Sequence, residues 1–136
     1  MMPDANDASL FAENAYLTYQ LEGGILFQRF KDEVKRITFP IALLTAADRQ
    51  LLTKRHATPL FVDINQACHI DVKAMKYYVL PESMVDVSAS AILVHRYPQY
   101  LATTFFLSIS RRYTPFPVQA FLSREEAMDW LQQFVE

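Results

Sequence analysis

The chain has 136 residues, 51% of them hydrophobic and 21% charged, with a formal net charge of −2. That length suits one domain, the apolar content suits a packed core rather than a disordered chain, and the charge lacks the basic footprint of a nucleic-acid binder. The one cysteine, Cys68, excludes an internal disulfide and any multi-cysteine metal site. The two glycines, Gly23 and Gly24, are adjacent, so no phosphate loop, dinucleotide fingerprint or nucleophile elbow can be built.

Residues 1–14, MMPDANDASLFAEN, carry three acidic residues and no basic one. They lack the positive start and apolar run of a secretory signal, and the expectation is a loosely ordered leader before a single domain over residues 15–136. No run approaches the roughly 18 consecutive apolar residues of a membrane span. A cytoplasmic protein with Cys68 reduced is the expectation.

Residues 16–21 and 25–30 are rich in strand formers, and Glu22-Gly23-Gly24 between them predicts a tight antiparallel hairpin. From Thr38, a plausible N-cap, the period turns helical. Ile41, Leu44, Ala47 and Leu51 recur on one face, with Asp48, Arg49 and Lys54 pointing elsewhere, which predicts a helix over 39–55 with Pro40 in its first turn. Residues 60–64 read as a buried strand, and Asp71 opens a short helix over 72–80 that Pro81 stops. Residues 89–94 read as another buried strand and 97–110 as a helix with Pro98 in its first turn. Arg111 and Arg112 stand at its C-terminal end, where carbonyl dipoles favour positive charge. A last strand over 117–121 leads to Ser123 and Glu126, the S-x-x-E capping box of a final helix. Its stripe of Ala127, Trp130, Leu131 and Phe134 faces the core. The order β-β-α-β-α-β-α-β-α predicts an α/β fold with a largely parallel sheet, only the opening hairpin being antiparallel.

The helix over 97–110 has no charged residue. The expectation places Leu101, Ala102, Phe105, Phe106 and Ile109 on the sheet and Tyr100, Thr103, Thr104 and Leu107 outward. An uncharged outer face suggests a partner, most economically a second copy of the chain.

The segment LFVDINQACHIDVKAM, residues 60–75, resembles the centre of anti-sigma-factor antagonist domains, the STAS or SpoIIAA-like class. There a strand ending in an acidic residue leads through a short loop to an apolar-Asp pair opening a helix, matched here by Asp63 and by Ile70-Asp71. The closing stretch PVQAFLSREEAMDWLQQF is similar to a pattern of bacterial STAS/Sec14-like proteins of unknown function, F-x-S/T-x-E-E-A-x-x-W-L. Phe121, Ser123, Glu125, Glu126, Ala127, Trp130 and Leu131 match it. The resemblance spans residues 15–136 and implies a SpoIIAA-like (βα) staircase: a five-stranded mixed sheet with an N-terminal antiparallel hairpin and about four helices. In the antagonist class a phosphorylatable Ser or Thr follows the helix-opening Asp, whereas here Val72, Lys73 and Ala74 follow Asp71. A phosphoswitch at that place is therefore not expected.

Candidate chemistry is sparse. His56, His69 and His95 share no helical metal-ligand spacing. Cys68 beside His69, with Asp63 and Asp71 nearby, reads as a loop and helix cap, since a catalytic pair also needs an orienting partner and an oxyanion site. The neighbouring acids Asp32-Glu33 and Glu125-Glu126 diverge in space. No catalytic, cofactor or metal residue is expected. The residues put forward for partner or ligand contact are Tyr100, Thr103, Leu107, Arg111 and Tyr77. The resulting expectation is a non-catalytic regulatory or interaction module, a homodimer or bound to a protein partner, with no nucleic acid and no membrane span. The alternative is a carrier of a small apolar ligand or lipid, since aromatic residues make up 13% of the chain.

Overall fold

Alternating strand and helix patterns become a sheet covered unequally on its two faces. The computed structural model describes residues 10–64, 69–78 and 80–135. Its strands are β1 (Leu10–Glu13), β2 (Leu17–Glu22), β3 (Ile25–Phe30), β4 (Arg36–Ile37), β5 (Thr58–Asp63), β6 (His69–Ile70), β7 (Val87–Leu93) and β8 (Val118–Phe121). Its helices are α1 (Phe39–Thr53), α2 (Val72–Tyr78), α3 (Tyr97–Ser110) and α4 (Arg124–Gln132). The main sheet has six strands in the order β1-β2-β3-β5-β7-β8, and β4 and β6 form a separate parallel pair. The first two pairings are antiparallel and the other three parallel. The hairpin falls where the sequence places it: Glu22 faces Ile25 across Gly23 and Gly24, whose φ of 61° and 81° are open to residues without Cβ.

The sixth strand is an addition to the five expected. Residues 10–13, assigned by the sequence to a loosely ordered leader, pair with β2 as an edge strand. The turn that returns them is built by Asn14, whose side-chain oxygen accepts from the amides of Tyr16 and Leu17 at 2.8 and 2.9 Å. Its Nδ2 donates to Asp48 on α1 at 2.8 Å, tying the turn to the helix layer.

Each parallel crossover advances by one strand, so a common right-handed sense lays α1, α2 and α3 on one face. Ala42 of α1 and Ala74 of α2 pack there with Leu17, Tyr19, Leu26, Phe30, Leu60 and Val62. The chain turns over after β8, so α4 covers the other face: Ala127 and Leu131 pack on Ile25, Phe61, Ala91, Leu93 and Phe121. Ser123 caps α4 as predicted, its hydroxyl accepting from the Glu126 amide at 3.2 Å. The expected stripe of α4 faces the core.

Helix α1 is rotated from its expected face. Its buried residues are Ala42, Thr45, Ala46, Arg49 and Thr53, whereas Leu44, Ala47 and Leu51 of the predicted core stripe are exposed. Small side chains let the helix axis approach the sheet, and the hydroxyl of Thr45 pairs locally with the Ala42 carbonyl at 3.0 Å. Arg49, expected in solvent, is only 1% exposed. Its Nε donates to both carboxylate oxygens of Asp86 at 3.2 and 3.1 Å, and its Nη2 donates to the Ser83 carbonyl. Thr53 donates to Asp86 at 2.9 Å. A buried, fully engaged ion pair has fixed the helix rotation against its leucine stripe.

Candidate functional site: the two sides of helix α3

Helix α3 spans the predicted residues, but it too is turned the other way. Tyr97, Leu101, Phe105 and Ile109 stand on its outer side, 61, 50, 68 and 56% exposed, and Tyr113 beyond the helix continues the line at 61%. The inner side carries Gln99, Thr103, Phe106, Leu107 and the buried Ser110. The expectation that Leu101, Phe105 and Ile109 pack on the sheet while Thr103 and Leu107 face outward is therefore corrected. Local hydrogen bonding explains how the polar side turns inward. Thr103 donates to the Gln99 carbonyl at 2.8 Å and Ser110 to the Phe106 carbonyl at 3.1 Å, so neither hydroxyl is left wanting. The result is an uncharged stripe of large apolar side chains about 20 Å long facing solvent.

Beneath the helix the packing is open. A cleft of about 490 Å³ lies between α3, α2 and the strand ends, lined by Ile64, His69, Ile70, Met75, Ile92, Thr103 and Leu107 among others, with Arg96 and Pro98 at the α3 end. Beside it, a partly open cavity of about 100 Å³ lies over the sheet, lined by Phe30, Leu60, Val62, Met84, Ile92 and Phe116 with Gln28, Arg49, Tyr78, Ser90 and Ser110. The cleft and the cavity share Ile64, Ile70, Ile92 and Leu107. Gln28 is 3% exposed, and its side-chain oxygen has no hydrogen-bond partner. An unpaired buried acceptor costs about 1–3 kcal/mol. Sequence reasoning missed Gln28 and Arg49. A readable signal existed for the first, since Leu26, Gln28 and Phe30 alternate on the core face of β3 and a polar residue there is out of pattern.

The remaining residues put forward from sequence are dispersed. Thr103 and Leu107 meet at the cleft. Arg111 is exposed at the end of α3 and borders a separate groove with Leu107, Phe116 and Trp130. Tyr100 is half-buried and stacks on Tyr97 with ring centroids 6.1 Å apart. Tyr77 lies on α2, edge-on to Phe39 at 5.6 Å, and lines neither the cavity nor the cleft. At the C-terminal ends of the strands, Asp63 accepts from His95 Nε2 at 2.6 Å and lies 3.8 Å from Arg29, so these side chains tie β3, β5 and the turn into α3. Asp71, at the start of α2, accepts from Arg36 Nε at 2.6 Å, and this hydrogen bond raises the Arg36 pKa. Cys68 lies outside the described residues. Among the described residues no group of three or more His, Cys, Asp or Glu side chains could hold a metal ion, and no helix is long and apolar enough to cross a membrane.

No curated protein matches the sequence. Among solved structures, the chain is similar to an uncharacterised protein of the DUF3478 family with a SpoIIAA-like fold from Shewanella loihica PV-4. The match has a TM-score of 0.54 and 16% identity, over 91% of this chain and 92% of that one. At that identity the likeness establishes the fold, which is SpoIIAA-like as the strand and tail motifs implied. Residues 19–135 match a domain of unknown function, DUF7793, and the chain belongs to that family.

Proposed function

We propose that the protein is a non-catalytic interaction module that works as a homodimer joined through the outer face of α3. The observation that carries this reading is the stripe Tyr97, Leu101, Phe105, Ile109 and Tyr113, each at least half exposed with no charged residue from 97 to 110. A solvated helix ordinarily carries charge on its outer side. These five side chains bare on the order of 500 Å² of largely apolar surface, toward the upper end of the largest patch a monomer carries, and patches of that size are often functional. With a rim of neighbours this approaches the roughly 800 Å² per partner of a standard interface.

A second copy suits the stripe better than a charged partner, because residues 97–110 carry no charge, the cations Arg96, Arg111 and Arg112 standing only at its two ends. An antiparallel crossing centred on Phe105 sets Leu101 of one copy against Ile109 of the other, as twofold symmetry requires. The regulation of this module differs from a phosphoswitch. Val72, Lys73 and Ala74 after the helix-opening Asp71 offer no hydroxyl, and Ala74 is fully buried. Support for a non-catalytic role comes from the polar side chains themselves: Asp63, Asp71 and Asp86 are each engaged by a basic partner that ties elements of the fold together.

Sedimentation velocity tests the reading. The wild-type chain sediments as a dimer at micromolar concentration, and Phe105→Glu sediments as a folded monomer. A monomeric wild type, or a Phe105→Glu variant that stays dimeric, would overturn it.

A further inference from the structure

We propose that the partly open cavity beneath α3 is a binding site for a small uncharged molecule, largely apolar and bearing one hydroxyl, held by the side-chain amide of Gln28. Three observations converge. The cavity of about 100 Å³ has mostly apolar walls, among them Phe30, Leu60, Val62 and Ile92. It is about two thirds of the ~150 Å³ of a cavity that takes up a benzene ring, and it adjoins the larger cleft. Gln28 lines it, 3% exposed and with a side-chain oxygen that has no hydrogen-bond partner, although buried polar groups are almost always paired.

Four of the other polar groups around it, Arg49 among them, are engaged, while the hydroxyl of Ser90 makes no hydrogen bond among the described residues. Tyr78 bonds Thr45, Ser110 bonds the Phe106 carbonyl and Thr114 bonds the Ser110 carbonyl. Arg49 is the one ionic side chain in the lining, and its charge is matched by Asp86, so the site makes no demand for an ion. A hydroxyl is the fitting polar group because it both donates and accepts, and so satisfies either end of an amide. A path to the cavity exists through the cleft under α3, where Ile64, Ile70, Ile92 and Leu107 line both spaces.

The inference does not rest on the homodimer, which uses the opposite side of the helix. The test titrates phenol and toluene into the full-length protein, followed by chemical-shift changes of the residues lining the cavity. Because the two differ in hydration, the quantity read is the phenol-to-toluene affinity ratio. Gln28→Leu lowers this ratio about tenfold, the value of one buried hydrogen bond, while its thermal melting is unchanged or raised. Gln28→Met, unbranched like the native side chain, serves if Gln28→Leu fails to fold. Phe105→Glu leaves the ratio unchanged. Binding of neither probe at millimolar concentration would overturn the proposal, leaving Gln28 to a bound water. An equal ratio in wild type and variant would overturn it as well.

Discussion

Arg49 sits on a helix that meets solvent along its leucines, yet its guanidinium is as buried as the phenylalanines of the core. Such a charge is tolerable because Asp86, Ser83 and Thr53 together complete its surroundings, joining α1 to the start of β7. The expected consequence is asymmetric. Asp86→Asn leaves the guanidinium uncompensated and lowers unfolding stability by about 3–5 kcal/mol, whereas replacing the pair together by Met at 49 and Leu at 86 recovers most of the loss. Urea denaturation of the three variants measures both. Tyr19 is a second buried polar residue on the same face. Its hydroxyl donates to the Thr45 carbonyl at 3.3 Å, and burial, reinforced by the nearby Asp48 carboxylate, raises its pKa well above the ordinary 10.0. Above that ordinary value the unfolded chain releases a proton that the folded chain keeps, so stability falls as pH rises. An alkaline titration followed by circular dichroism gives a steeper loss above pH 10 for the wild type than for Tyr19→Phe. Equal slopes would contradict the assignment.

At the scale of elements, the sequence was most informative where local chemistry decides. The Gly23-Gly24 hairpin, the strand at β5, the full extent of α3 and the Ser123 cap of α4 were all legible, because turn residues, apolar runs and caps act within a few positions of themselves. What was not legible is the rotation of α1 and α3. Periodicity reads the more apolar stripe as the buried one. In α1 that stripe loses to Ala42, Thr45, Ala46 and Arg49, in α3 to Thr103, Leu107 and Ser110, since close approach and paired polar groups outweigh the transfer of leucines from water. Both errors have one sense, and the surface they reveal is the candidate site itself. Thr103 and Leu107 were singled out for contact, but they belong to the cleft and not to the outer face. The strand β1 was missed because its pairing depends on the Asx turn at Asn14, a signal without glycine or proline.

The whole molecule is asymmetric about its sheet. One face is covered by α4 over β5, β7 and β8, where its aromatic side chains Trp130 and Phe134 pack edge-on at 5.0 Å beside the core around Phe61 and Phe121. The other carries three helices and holds the cavity and the cleft, with α3 resting over them and turning its apolar side to solvent. A SpoIIAA-like sheet thus supports two independent uses of one helix, an outer line for a second copy and an inner wall for a small molecule. The dimer is the central claim, and cysteine cross-linking measures it most directly. In a Cys68→Ser background, Phe105→Cys lies on the proposed twofold axis and Leu51→Cys, which is 77% exposed on α1, lies away from it. Mild oxidation at micromolar concentration is predicted to convert Phe105→Cys rapidly to a disulfide-linked dimer and to leave Leu51→Cys monomeric. Equal cross-linking of the two variants, or none at position 105, would contradict the account.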